Sequence, residues 1–312
     1  MSRCRSPLLI ILSFHRVLPE PDPYCSDFVT CSNFERQMAL LARLFDVVPL
    51  ADGVNAMAND DSSRLRVALT IDDGYSDAAE HAAPILADFG LPATVFVASG
   101  FVGGGVMWND CIVETLRAVV GRQLDLRPVG FGVEPIGSLA ERIDLKFRLI
   151  RAWKHLPATE RDELVGRLVS IAGVRWPKGL MMDAGQLAQL HGHGVEVGAH
   201  TVNHPILRVL DDAAASREIV KSRAELEGLI GQRVRSFAYP NGKAGSDYGA
   251  RDARLVAEAG FECAVTTEYG ASGPGSDRFQ LPRMSVWRGS RLGLLAQFAR
   301  SVWIDREAVP AA

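Results

Sequence analysis

The chain reads as an α/β protein, a distorted or incomplete (β/α) barrel of about seven parallel strands with a helical insertion at about 111–178. Three observations lead there. Short apolar runs rich in branched residues alternate with segments of helical periodicity. Polar motifs stand directly after several of those runs, where a parallel barrel gathers its reacting groups. The alternation stops once, between Cys111 and Lys178, and then resumes.

Strands are expected at 8–14, 67–71, 93–98, 195–199, 234–238, 263–267 and 281–286. Between the first two, Phe34, Met38, Leu41 and Phe45 recur at helical spacing, and Ser32 three residues before Glu35 carries a capping-box signature. Further helices are expected at about 76–89, 183–191, 211–230, 250–259 and 290–302. Gly90, Gly231 and Gly260 stand where C-terminal caps belong, because helices often end in a left-handed residue that glycine adopts without steric cost. The interrupting segment holds a glycine-containing loop at 129–135 and charged helical sequence at 141–153 and 159–171. The strands on either side of it complete one sheet, so residues 1–312 are expected to form a single domain carrying an insertion.

Composition narrows the function classes. Of 312 residues, 47% are hydrophobic, enough for a large core, and 37 acidic against 34 basic residues give no excess charge toward nucleic acid or an anionic membrane. The cysteines, Cys4, Cys25, Cys31, Cys111 and Cys263, are odd in number and lack Cys-x-x-Cys spacing, which argues against a disulfide framework or a thiolate zinc site. The charged start Met1 to Ser6 and the apolar run after Pro7 mimic part of a signal peptide but lack a small-residue cleavage site. No other stretch approaches the roughly 20 apolar residues of a membrane span. The expectation is a cytoplasmic protein, including the inner membrane face as a place of work.

Two short runs carry the chemistry. Thr70-Ile71-Asp72-Asp73-Gly74 places adjacent carboxylates after one strand, and His200-Thr201-Val202-Asn203-His204-Pro205 places two histidines four apart after another. One aspartate and two histidines hold a divalent ion such as zinc with an open position for water, and the second aspartate is then free to act as a base. Each piece alone also has an ordinary reading. Asp-Asp-Gly is a common turn, His-x-x-x-His is often a pair of plain polar residues, and Pro205 leaves loop and first helical turn both open. Tyr239-Pro240-Asn241-Gly242 is by itself a turn after a third strand. Their conjunction on successive strand ends points to a mononuclear metal hydrolase.

In these motifs the chain resembles the polysaccharide deacetylases of the NodB-homology type, carbohydrate esterase family four. Residues 70–74 match the family's Thr-Phe-Asp-Asp-Gly motif with Ile71 for Phe, and residues 200–205 match His-Ser/Thr-x-x-His-Pro in full. Phe237-Ala238-Tyr239-Pro240-Asn241-Gly242 matches a variant third motif, Phe-x-Tyr-Pro-x-Gly. Framework runs at 12–17, 34–38, 92–97 and 194–198 are similar as well. The resemblance implies metal-dependent removal of an N-acetyl group from an amino sugar in a glycan or glycan precursor, whether sugar, oligosaccharide or lipid-linked glycan. It implies Asp73, His200 and His204 as metal ligands, Asp72 as the base and the backbone N–H of Asn241 as an oxyanion donor. The metal it implies is zinc, with nickel, cobalt or iron compatible with the same ligands.

Two departures from the family pattern matter. Ala238 stands where the third motif usually carries an arginine that orients the base, and Arg283 is the replacement candidate, against its reading as a surface or structural arginine. No histidine follows His204, although the family's late motif normally supplies one as general acid. His15, at the end of the first strand, could serve instead, or could make only a structural hydrogen bond. His81, His155, His191 and His193 read as surface or capping residues, and Trp108-Asn109-Asp110 as a segment that either lines a sugar cleft or covers the core. Two other functions stay open: a deformylase or cyclic-amide hydrolase on the same barrel, and a catalytically degenerate glycan-binding protein.

Overall fold

In the computed structural model, residues 8–59, 65–176 and 178–286 are described. The expected helix at 290–302 and the opening stretch Met1 to Ser6 lie outside them. An unbroken run of Leu and Ile makes Leu8–Phe14 a strand buried on both faces, with parallel neighbours on either side. Across the sheet the order is Cys263–Val265, Ser236–Ala238, Val195–Ala199, Ala93–Val97, Leu65–Ile71, Leu8–Phe14 and Met284–Ser285, and the two-residue strand Asp46–Val47 pairs beside Leu65–Ile71. The strands of this sheet are parallel. The sheet curls until one segment serves both edges: Leu281 bridges to Val265, while Met284 and Ser285 pair with Leu12 and Ser13. This is the incomplete barrel expected from the sequence.

Alternation along the strands separates two apolar layers. Ile10, Leu12, Leu69, Val95 and Val97 pack with Phe34, Met38 and Leu86 of the surrounding helices, whereas Leu9, Ile11, Ala68, Phe96, Ala238 and Val265 cluster on the opposite, inner side. Each fully buried Leu or Ile of this kind contributes about 1.5–3 kcal/mol through the hydrophobic effect.

Several local expectations shift. The first long helix, Cys31–Leu44, is capped by Thr30, whose hydroxyl accepts from the Asn33 amide, two residues before the expected capping box. The helix expected at 76–89 begins as a π turn, Ala78–Ala82, ahead of Ala83–Asp88; Pro84 has no amide to donate to the normal ladder. A helix at Leu50–Asn59 was not expected, because Gly53 lowers helix propensity. A Cβ on Gly53 would sit 3.0 Å from both Leu9 Cδ1 and Val48 Cγ2, so the glycine is there for close packing. The last strand shortens from 281–286 to Met284–Ser285, since Pro282 interrupts the pairing. Gly90, Gly231 and Gly260 all take positive φ at helix ends, as expected.

The interrupting segment is more than helical. Helix Trp108–Ala118 leads into an antiparallel hairpin, Gln123–Asp125 with Val133–Pro135, and then into helices Leu139–Trp153 and Ala158–Ala172. The expected glycine loop at 129–135 therefore supplies one hairpin strand. These elements share a hydrophobic cluster that includes Trp108, Ile112, Leu126, Leu145, Leu149, Trp153 and Leu168.

Candidate metal centre

Leu8–Phe14 and Leu65–Ile71 end level, Phe14 opposite Ile71, and the Asp72 amide extends the ladder by donating to the Phe14 carbonyl at 2.9 Å. Asp72 thus stays in strand alternation with Ala68 and Thr70 and faces the barrel interior. Asp73 would by that alternation face the helices, but its backbone turns left-handed at φ 80° and brings the carboxylate back over the strand end. Gly74 follows at φ 85°, and a Cβ there would meet Val97 Cγ1 at 3.0 Å, so glycine is required twice over.

The histidine motif forms a loop, which settles the alternatives left by Pro205. His200 continues strand Val195–Ala199, its amide donating to the Val97 carbonyl at 3.0 Å. Thr201 and His204 both take positive φ, 64° and 52°, and the Thr201 hydroxyl accepts from the His204 amide at 3.1 Å. Helix Asp212–Ile230 holds the loop from outside: Glu218 accepts from the amides of Val202 and Asn203, both at 2.9 Å, and from the Asn203 side chain at 2.8 Å.

The donor geometry fits a metal. His200 donates from Nδ1 to the Ala238 carbonyl at 2.7 Å, which leaves the Nε2 lone pair facing Asp73. Asp73 Oδ1 lies 3.4 Å from Nε2 of His200 and 3.4 Å from Nε2 of His204, longer than the usual charge-assisted hydrogen bond. Ligands bonded at about 2.0–2.1 Å around a tetrahedral ion stand about 3.4 Å from each other. Among the described residues this is the one group of three or more His, Cys, Asp or Glu side chains placed to hold an ion, and all three are buried. Burial opposes charge on the rings: it lowers His204 to about 4, aided by repulsion from His200, and keeps that ring a neutral ligand. Burial would lower His200 too, but the facing Asp73 carboxylate outweighs it and raises the ring. Burial would raise Asp73, yet the two rings hold it well below the usual carboxylate range.

Beside this cluster, Arg283 clamps Asp72. Nη1 donates to Oδ1 and Nη2 to Oδ2, each at 2.7 Å, while Nε donates to the Thr266 carbonyl at 2.7 Å and Nη1 also reaches the Thr70 hydroxyl at 3.1 Å. Arg283 is 2% exposed, and Ala238, at the position of the family's usual arginine, is buried. Burial would raise Asp72, but Arg283 overcomes this and holds it below its ordinary value, ionised at neutral pH. His15 also approaches Asp72, its Nε2 4.0 Å from Oδ2 and its side chain 42% exposed at a cavity of about 210 Å³. Asn241 takes φ 59° in the turn after Ser236–Ala238, with its carbonyl accepting from the Thr267 hydroxyl at 2.6 Å.

Sequence reasoning missed three contributors: the Ala238 carbonyl, Glu218, and the Tyr75–Asp110 contact. Tyr75 follows Gly74 and donates its hydroxyl to the Asp110 carboxylate at 3.0–3.1 Å, tying the Trp108–Ala118 helix to the metal loop. Burial, aided by the Asp73 charge, pushes Asp110 up to about 7. His81, His155, His191 and His193 take no part in the cluster.

A parallel α/β barrel with a buried His₂–Asp donor set at the C-terminal ends of its strands defines a class, the mononuclear metal hydrolases. The family follows from comparison: the model of the polysaccharide deacetylases matches residues 59–125 and 162–264, so the chain belongs to that family. The gap in the match falls in the interrupting segment. Among curated proteins, YxkH of Bacillus subtilis is 25% identical over 104 residues, 33% of this chain and 36% of the relative, so the likeness spans about a third of that protein's length. The fold is shared with the Streptococcus pyogenes deacetylase PplD, TM-score 0.62 at 18% identity over 93% of this chain and 97% of that one. It is shared equally with IcaB from Ammonifex degensii, TM-score 0.61 at 18% identity over 96% and 97%.

Proposed function

We propose that the chain is a metal-dependent carbohydrate N-deacetylase, which removes an N-acetyl group from an amino sugar in a glycan or glycan precursor. The observation that carries this is the buried Asp73, His200 and His204 cluster beside the arginine-clamped Asp72, in a chain of the polysaccharide deacetylase family.

In this reading Asp73, His200 and His204 hold one divalent ion, zinc by preference of the ligand set, with nickel, cobalt or iron as the alternatives. A bound ion supplies Lewis-acid chemistry, activating water and polarising the amide carbonyl. Asp72 takes the proton of the attacking water. Arg283 keeps Asp72 ionised and aimed, in place of the arginine that Ala238 does not provide. The backbone N–H of Asn241 donates to the carbonyl oxygen as charge develops there. His15, partly exposed beside Asp72, delivers a proton to the leaving amine in place of the absent late histidine. The clamp removes one of the two departures that favoured a degenerate binding protein, since the base has its arginine.

We place the protein in the cytoplasm, the inner membrane face included, working on an N-acetylated sugar, oligosaccharide or lipid-linked glycan. Free Cys25, Cys31, Cys111 and Cys263 fit a reducing compartment, and no helix of the described residues is long and apolar enough to cross a membrane. The test is hydrolysis of N-acetylated oligosaccharides by metal-loaded protein. Acetate and free amine should appear in equal amounts. Release of formate from N-formyl sugars with no acetate from N-acetyl sugars would move the reading to the deformylase alternative. Binding of the glycan with neither product would move it to a glycan-binding protein.

A further inference from the structure

The loop that carries the metal ligands has a second face. Val202, Asn203 and Pro205 line a groove of about 740 Å³, whose opposite wall comes from the interrupting segment through Trp108, Arg161 and Trp176. The groove therefore shares the His200–Pro205 loop with the metal centre, and its remaining wall is helix Asp212–Ile230 with Arg217 and Lys221 at the rim.

Arg161 is the unusual group. It is 4% exposed, yet its Nε has no hydrogen-bond partner among the described residues, and its nearest carboxylate, the largely exposed Asp162, stays 3.6 Å away. A buried guanidinium normally finds a bidentate carboxylate, as Arg283 does with Asp72. Arg161 instead lies over the Trp108 ring, 5.0 Å from its centroid. Burial lowers its pKa, so the cation is held at a cost that Asp162 offsets only in part. Trp176 is fixed in the wall by donating Nε1–H to Thr115 at 3.2 Å. The other carboxylate of the groove, Glu218, is already occupied by the loop amides and Asn203. Indole surface such as that of Trp176 suits the apolar face of a sugar ring, and a guanidinium whose Nε lacks a hydrogen-bond partner and whose one ion-pair contact is a long one to Asp162 suits an anion on that ring.

We propose that this groove is a substrate subsite for a negatively charged sugar unit, one bearing a carboxylate or a phosphate, with Arg161 as the group that reads the charge. The proposal rests on the reading of the metal centre as a sugar amide hydrolase, since it makes the groove's occupant part of the same glycan. It assigns the interrupting segment a role in specificity, and it accounts for a buried guanidinium whose Nε the described residues leave without a hydrogen bond.

The test is equilibrium binding to the full chain, read by tryptophan fluorescence and calorimetry. The probes are N-acetylglucosamine 1-phosphate, N-acetylmuramic acid, neutral N-acetylglucosamine and inorganic phosphate. At least one acidic sugar should bind about tenfold or more tighter than the neutral sugar, the worth of one charge-assisted hydrogen bond, and the tighter of the two identifies phosphate or carboxylate. Arg161→Met should abolish that preference, and Arg161→Lys should retain part of it. Because Arg161→Met removes a buried charge that Asp162, at 3.6 Å, offsets only in part, its Tm should equal or exceed that of the wild type, whereas a purely structural arginine would show a fall. Should Arg161→Met fail to fold, Lys221→Glu at the exposed rim gives the same answer by weakening acidic sugars and sparing the neutral one. Equal binding of acidic and neutral sugars, an undiminished preference in Arg161→Met, or inorganic phosphate binding as tightly as the acidic sugars would overturn the proposal. Arg161-dependent binding without any hydrolysis would sink the deacetylase reading and leave the groove as a binding site for acidic sugars. Hydrolysis of a neutral N-acetyl sugar with no acidic preference would sink only the subsite.

Discussion

At Asp72 and Asp73 two adjacent, chemically identical side chains meet opposite environments because one backbone angle differs. Asp72 continues the strand and meets Arg283; Asp73 turns left-handed and meets two imidazoles. The account therefore separates their variants. Asp72→Asn should keep its metal and its fold while turnover falls by about two to four orders of magnitude, the usual worth of a positioned base, checked by elemental analysis beside steady-state rates. For Arg283 the pH dependence carries the sign. Burial favours the neutral acid, Arg283 reverses that, and the folded Asp72 pKa lies below its unfolded value. The pair's stabilisation is present above the unfolded pKa and lost as pH falls through the folded one. Arg283→Met removes the positive charge, so the acidic limb of the kcat/KM profile should move to higher pH, and a limb that stays in place would leave Arg283 without a hold on the base. His15→Gln should slow amide cleavage with metal content unchanged. A rate equal to that of the wild type would assign the leaving-group proton to another donor.

Elements decide whether such residues converge, and here the legibility of the sequence divides. Asp72, Asp73, His200 and His204 could be read because each pair is local and each follows a strand, so chain order alone brings them to one rim. Glu218 could not, because nothing in the charged helix Asp212–Ile230 distinguishes it until the helix is laid against the loop. The same holds for Arg161, a polar residue in a helix whose pattern gives no sign of its burial, and for helix Leu50–Asn59, which hides behind Gly53. Arg283 could be named from a vacancy at Ala238, but its clamp depends on the sheet curling until segment 281–285 meets both edges. Glu218 also yields a prediction at this scale. Glu218→Ala frees two loop amides without touching a ligand, so metal affinity should weaken about 10- to 100-fold, as for other groups that orient ligands, while Asp72 and its clamp stay intact. Competition with a calibrated chelator would measure it.

For the whole molecule, barrel and interrupting segment meet around one loop, with the donor set on one face and the groove of Trp108, Arg161 and Trp176 on the other. The barrel explains why the reacting groups lie together, and the tie from Tyr75 to Asp110 joins the turn after Asp73 to helix Trp108–Ala118. Everything proposed for function depends on the three donors acting as one site for one ion. The most direct measurement is a titration of metal-stripped protein with zinc, following acetate release from an N-acetylated oligosaccharide. Turnover should start near zero, rise in proportion to added metal and level off at about one ion per chain, with the same titration flat for His204→Ala. Acetate release that is full before metal is added, or none at full occupancy on any N-acetylated glycan, would contradict the account.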